Sequence, residues 1–276
     1  MHKALFIVLG FALSLSLHAQ SPISTQNKTP LTIGESVTIH SDILDEDRIL
    51  NVYLPFGYTQ NTDKEYPVIY LLDGSIYEDF IHISGLVQFG SFSWINMIPE
   101  TIVVGISNVD RKRDFTYPSN NELDNKELPT SGGSKKFISF IEQELQPYVD
   151  ASYRTTSAKT IIGQSLGGLL ATEILFKNPM LFDHYLIVSP SLWWDDESLL
   201  EFTPADYTVE KSIYVAVGKE GEVMERIAQE LYDKLQTLQN DNTDIYFNFL
   251  EEQDHGDALH LAVYDAFEKV FGKNRN

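Results

Sequence analysis

From residue 36 onward the chain switches repeatedly between short runs of alternating or continuous apolar positions and longer runs in which apolar residues recur every third or fourth position. Eight short runs read as strands: Ser36–Ile43, Arg48–Leu54, Val68–Leu72, Thr101–Ile106, Thr160–Gly163, Tyr185–Val188, Ile213–Val217 and Ile245–Leu250. The first two alternate apolar with polar residues, as strands do near an exposed edge. Several later ones are nearly unbroken apolar runs, as strands covered on both faces must be. Helical spacing marks four segments. Phe137, Ile141, Leu145 and Tyr148 define one, and Leu166 to Lys177 another that Asn178-Pro179 stops. Val223, Ile227, Leu231 and Leu235 define a third, and Leu259, Ala262, Val263, Ala266, Phe267 and Val270 the last. Strands first and then repeated strand–helix units predict an α/β fold: an eight-stranded, mostly parallel sheet with helices on both faces.

The N-terminus follows another pattern. Lys3 precedes an apolar run from Ala4 to Leu17, and the small Ala19 precedes Gln20, so residues 1–19 read as a secretory signal peptide and the mature chain as secreted or periplasmic. No membrane span is expected, because that run is too short and no later stretch approaches about 18 uninterrupted apolar residues. Residues 20–35, with Ser, Thr, Asn and two prolines, form an irregular lead-in to a single domain at 36–276. With 40 acidic and 20 basic side chains the formal net charge is −20. That balance argues against nucleic acid as a partner and, since the acids are scattered, for a solvated surface. The chain has no cysteine, which excludes disulfides, a thiolate nucleophile and a lipid-anchoring cysteine. Its stability must come from a large core.

Candidate chemistry sits at the ends of the predicted strands, where functional groups gather in an open α/β sheet. The fifth strand runs into Gly163-Gln-Ser-Leu-Gly167, a Gly-x-Ser-x-Gly pattern followed by a helix. A serine on such a sharp strand-to-helix turn stands clear of its surroundings, and the N–H of Leu166 is left aimed at the oxyanion that forms on attack. Serine is a weak nucleophile and needs a base. Of the chain's seven histidines, His255, in the loop after the eighth strand, is the best placed. Its acidic partner should follow the sixth or seventh strand, and Glu220 and Glu222 both do. Glu220 is preferred, being on the turn itself, whereas an acid at Glu222 already suits the start of a helix. Gly74 lets the chain turn after the third strand, so the backbone N–H of Ser75 or Ile76 is a candidate second oxyanion donor. Trp193 and Trp194 after the sixth strand could wall an aromatic or acyl group. Arg111, Lys112 and Arg113 after the fourth, with Arg113 the preferred contact, could meet a carboxylate or phenolate, or could pair with Asp110 and Asp114. His255 and His260 are five apart and share no helical face, no other ligand spacing occurs, and there is no glycine-rich phosphate loop, so no metal or cofactor is implied.

Six further stretches carry a family resemblance: Asp47-Arg-Ile-Leu-Asn-Val-Tyr-Leu-Pro55, Tyr66-Pro-Val-Ile-Tyr-Leu-Leu-Asp-Gly74, Asp110-Arg-Lys-Arg-Asp-Phe-Thr116, Gly132-Gly133 with Glu144-Leu-Gln-Pro-Tyr-Val-Asp150, Gly163-Gln-Ser-Leu-Gly-Gly168 and Ser189-Pro-Ser-Leu-Trp-Trp194. On these the chain resembles a secreted esterase of the α/β-hydrolase superfamily, in the branch that includes esterase D, siderophore esterases, feruloyl and acetyl-xylan esterases and mycolyltransferases. It is most similar to the siderophore-esterase group. The resemblance implies an α/β-hydrolase fold, a triad at Ser165, Glu220 and His255, oxyanion donors at Leu166 and Ser75, and a small-molecule ester as substrate. A feruloyl or acetyl polysaccharide esterase and an acyltransferase are the alternatives. A catalytically silent binding protein of the same fold is the remaining one. The turn that carries the acid is shorter than in many members of the branch, which keeps Glu222 in play.

Overall fold

The computed structural model describes residues 27–238 and 241–272, so the signal peptide expected at 1–19 lies outside the described residues. Residues 27–34 carry no helix or strand. By its contacts the chain divides into a unit ending at Thr32 and one beginning at Ile33, and every strand and helix among the described residues belongs to the second.

All eight expected strands are present: β1 (Glu35–Ser41), β2 (Glu46–Tyr53), β3 (Tyr66–Leu71), β4 (Ile102–Ile106), β5 (Thr155–Gln164), β6 (His184–Val188), β7 (Lys211–Gly218) and β8 (Thr243–Leu250). They form one sheet in the order β1-β2-β4-β3-β5-β6-β7-β8. β2 is antiparallel to both its neighbours, and every pairing from β4 through to β8 is parallel. Burial follows the pattern of apolar residues. β1 is mostly exposed at its edge, whereas all of β7 is buried.

The helices are α1 (Phe80–Gly90), α2 (Arg111–Phe115), α3 (Glu122–Glu127), α4 (Ser134–Phe140), α5 (Gln146–Ser152), α6 (Leu166–Lys177), α7 (Ser198–Glu201), α8 (Glu222–Leu238) and α9 (Ala258–Val270). Successive residues of each strand face opposite ways, which builds two cores. Ile213, Val215 and Val217 of β7 join side chains of α4, α5, α6 and α8 on one face, and Tyr214 and Ala216 join those of α1 and α9 on the other. The single helix expected through Phe137 and Tyr148 is α4 and α5 joined by a π-helical turn at Ile141–Leu145. Pro147 lacks an N–H and its ring crowds the carbonyl of Gln143, so the helix widens ahead of it. The pattern gives no element between residues 76 and 100, yet α1 lies there. It buries Phe80, Ile83 and Val87, and its period is blurred because Ile81 and Phe89 remain exposed on the far side.

Candidate active site

β5 runs directly into Ser165, whose φ of 60° and ψ of −121° lie outside the regions that L-residues favour. Close passage of strand and helix makes the turn possible. A Cβ at Gly163 would stand 2.3 Å from the carbonyl oxygen of Gly167, so only glycine fits. The strained serine is held from several sides: its N–H donates to the Val188 carbonyl (3.1 Å), and its carbonyl accepts from the N–H groups of Leu169 (2.9 Å) and Ser191 (3.0 Å). Leu166 is the first residue of α6, where the helix itself supplies no acceptor for the N–H.

β7 and β8 end beside each other, and the loops beyond them bring Glu220 and His255 together. The Lys219 N–H donates to the Gln253 carbonyl (2.6 Å), tying the two loops, and Gln164 Nε2 donates to the His255 carbonyl (2.6 Å), tying the histidine loop to the Ser165 turn. His255 Nδ1 lies 2.5 Å from Glu220 Oε2. Glu220 Oε1 accepts from the Gly218 N–H (3.0 Å) and from the Ser189 hydroxyl. The Glu220 side chain is 2% exposed. Burial pushes its carboxyl up, but the hydrogen bonds from His255, Ser189 and Gly218 prevail and hold it below the usual carboxylate range. The hydrogen bond to Glu220 raises His255 above 6.5, against burial and the nearby Arg111. A carboxylate can only accept, so Nδ1 carries the proton and Nε2 keeps its lone pair. Glu222 stands exposed in the first turn of α8, where an acid suits the helix dipole.

The loop after β3 holds a feature the pattern did not supply. Ser75 and Glu78 close a turn ahead of α1: the Ser75 N–H donates to Glu78 Oε2 (3.1 Å), and the Ser75 hydroxyl accepts from the Tyr77 N–H (3.3 Å). One of the two expected oxyanion donors is therefore bonded to a carboxylate. Beside it Asp73, at φ 54°, is gripped by Arg111 through Nε (2.6 Å) and Nη2 (2.9 Å) and by Asn108 (2.7 Å). Arg111 also donates to the carbonyl of Gln164, the residue before Ser165 (3.2 Å). Asp79, next to Glu78, has its carboxyl pushed up to about 6 by burial first and then by Asp73 and Glu78.

Arg113, expected to contact substrate, is engaged elsewhere. Its guanidinium forks onto Glu46 (3.0 and 2.6 Å) and donates through Nε to Asp114 (2.7 Å), while the fully buried Arg48 bonds the same two acids. This is the ion-paired alternative the flanking acids offered, and it leaves Arg111 as the arginine beside the Ser165 turn. Trp193 is 37% exposed, while Trp194 is fully buried and donates its indole N–H to the Tyr117 carbonyl (2.9 Å). Sequence reasoning quoted Ser189 and Ser191 within the Ser189–Trp194 stretch but gave neither a role. Their signal was the segment after β6, where two serines flank a proline just before the tryptophans.

The Esterase family model ("Putative esterase") matches residues 41–261, a span that includes Ser165, Glu220 and His255. The ferri-bacillibactin esterase BesA of Bacillus subtilis (strain 168) is 28% identical over 240 residues, covering 79% of this chain and 83% of that protein. Among solved structures, an IroE-like serine hydrolase from Shewanella oneidensis superposes with a TM-score of 0.77 at 29% identity, over 87% of this chain and 80% of the other. The BES protein from Bacillus cereus does so with a TM-score of 0.76 at 25% identity, over 89% and 98%. By family match, relatives and sheet topology alike, the chain belongs to the Esterase family, has the α/β-hydrolase fold and is a carboxylic ester hydrolase.

Proposed function

We propose that the chain hydrolyses small esters of the siderophore type through an acyl-enzyme on Ser165, with His255 as base and Glu220 as the acid behind it. The observation that carries this reading is the His255–Glu220 hydrogen bond, which leaves only Nε2 free to take a proton. In the first half-reaction Ser165 Oγ bonds to the acyl carbon while its proton passes to His255 Nε2. The bond from the acyl carbon to the alcohol oxygen then breaks, and the alcohol leaves with that proton. In the second half, water gives a proton to His255 and bonds to the acyl carbon. The acid departs and Ser165 regains its proton from His255. The Leu166 N–H, joined by the Ser75 N–H when Glu78 releases it, receives the charge on the carbonyl oxygen.

The substrate type is supported by the relative that carries the words ferri-bacillibactin esterase, similar over most of both chains. Trp193 offers a partly exposed aromatic wall, and Arg111, itself paired with Asp73, a guanidinium on the side of the turn that bears Ser165. The leader read at residues 1–19, ahead of the domain from residue 36, supports a place outside the cytoplasm. The test has two parts. A fluorophosphonate probe should label Ser165 and should not label the Ser165→Ala variant; labelling that survives the substitution rejects this nucleophile. In a panel of short acyl esters, feruloyl sugars and a cyclic catecholate trilactone, the trilactone should give the highest kcat/KM, and preference for a feruloyl sugar rejects the siderophore assignment.

A further inference from the structure

The Ser189-Pro190-Ser191 turn after β6 touches both ends of the proposed machinery. Ser189 donates its hydroxyl to Glu220 Oε1, and its N–H donates to the Ala216 carbonyl of β7 (2.7 Å). Two residues on, Ser191 donates its N–H to the Ser165 carbonyl (3.0 Å) and sets its hydroxyl 3.3 Å from Ser165 Oγ. Both serines are almost completely buried. Pro190 packs against the first turn of α6 so closely that a Cβ on Gly168 would stand 2.9 Å from its Cα. We infer that Ser189 is a positioning residue for Glu220 and that this turn braces acid and nucleophile against one another, an inference that rests on the Ser165–His255–Glu220 reading.

The backbone makes the serine at 189 informative. Its φ is 44°, a conformation that glycine adopts freely and other residues only at a cost. A side chain kept there in spite of the strain needs a reason, and the hydroxyl on Glu220 supplies one. Glu220 Oε1 has two donors, Ser189 and Gly218, while Oε2 faces His255. With both oxygens held, the carboxylate cannot rotate about its last bond without breaking three hydrogen bonds. Without Ser189, only the Gly218 N–H holds Oε1. Ser191 acts at the other end. In the resting site either hydroxyl of the Ser165–Ser191 pair can donate, but once the Ser165 proton has passed to His255 only Ser191 can, and it then donates to the reacting oxygen.

Kinetics of Ser189→Ala, Ser189→Gly, Glu220→Gln and the Ser189→Ala/Glu220→Gln double variant test this. Ser189→Ala should lower kcat about tenfold, as loss of a donor to a charged group does, with KM nearly unchanged. It should also move the acid limb of kcat/KM to higher pH. With one donor fewer, more of the Glu220 charge bears on His255, so the imidazolium survives to higher pH and the neutral base appears later. Ser189→Gly relieves the backbone yet should lose as much, which separates the hydroxyl from the strain. The double variant should be no slower than Glu220→Gln alone, because Ser189 acts through Glu220. Additive losses, an unmoved or lowered acid limb, or full activity in Ser189→Gly overturns the inference while leaving the triad reading intact. Glu220→Gln at wild-type speed instead removes the triad reading, and this inference with it.

Discussion

Replacing Glu220 by Gln changes one atom and one charge, and the structure says which proton goes wrong. Three donors converge on the carboxylate: the Gly218 N–H and the Ser189 hydroxyl on Oε1, and the His255 ring on Oε2. A glutamine has one oxygen to offer them. The Gly218 N–H cannot become an acceptor, so the amide oxygen takes that side and the amide NH2 turns toward His255. Nδ1 must then accept, which puts the imidazole proton on Nε2, the nitrogen that the proposed mechanism needs empty to take the serine proton. The variant therefore rests in the wrong tautomer and also lacks the charge that stabilises the imidazolium. Together these should lower kcat by about 10² to 10⁴, or roughly 3 to 5.5 kcal/mol of transition-state stabilisation. KM should change little, since Glu220 is nearly sealed from solvent and is not placed to touch a substrate. Initial rates on a chromogenic ester, with circular dichroism and a melting curve to show that the fold is intact, measure the effect. Glu222→Gln is the matched control: from an exposed first-turn position it should cost no more than a few tenths of a kcal/mol. A folded Glu220→Gln variant within about fivefold of wild type, or a larger loss at Glu222, refutes the tautomer argument.

Three other outcomes follow from the same geometry. The proposed base, His255, would work only when neutral and is raised above 6.5, so kcat/KM should fall as pH drops, with an apparent midpoint above 6.5; a pH–rate profile with its midpoint below 6.5 contradicts the pairing. Arg113→Ala should lower stability by about 1–3 kcal/mol in urea titrations, because Asp114 and Glu46 lose a shared partner, yet leave KM near wild type, whereas Arg111→Ala should raise KM; the reverse pattern restores Arg113 to the substrate. Glu78→Ala should free the Ser75 N–H for the oxyanion, raising kcat severalfold while lowering the melting temperature, because the acceptor for the Ser75 N–H and for Asn108, worth about 1 kcal/mol, is lost; an unchanged kcat means that Ser75 is not a donor.

What could be read from the sequence separates by the range of the interaction that fixes each feature. The strands were legible because a residue's place in a period of two depends only on its neighbours, and the unbroken run Ile213–Val217 is buried on both faces as such a run must be. Ser165 was legible for the same reason, since its turn is built from glycines within two residues of it. His255 and Glu220 are 35 residues apart, and topology alone brought them together: adjacent parallel strands β7 and β8 end side by side, so the loops after them must meet. The reading went astray where a side chain chooses among partners of equal chemistry. Arg111 and Arg113 are both arginines of one short helix, two positions apart and therefore on different sides of it. Arg113 meets Glu46 from the β1–β2 edge, and Arg111 meets Asp73 at the end of β3, 38 residues back in the chain. No local pattern distinguishes the two, because the choice is made by strands paired far away in sequence. Ser75 was obscured differently. Its glycine turn points to an oxyanion loop, but Ser-x-x-Glu ahead of an apolar run is also a helix start, and the same N–H serves both. At that position a structural hydrogen bond and the proposed catalytic one draw on a single donor, so Glu78 must let go before Ser75 can act.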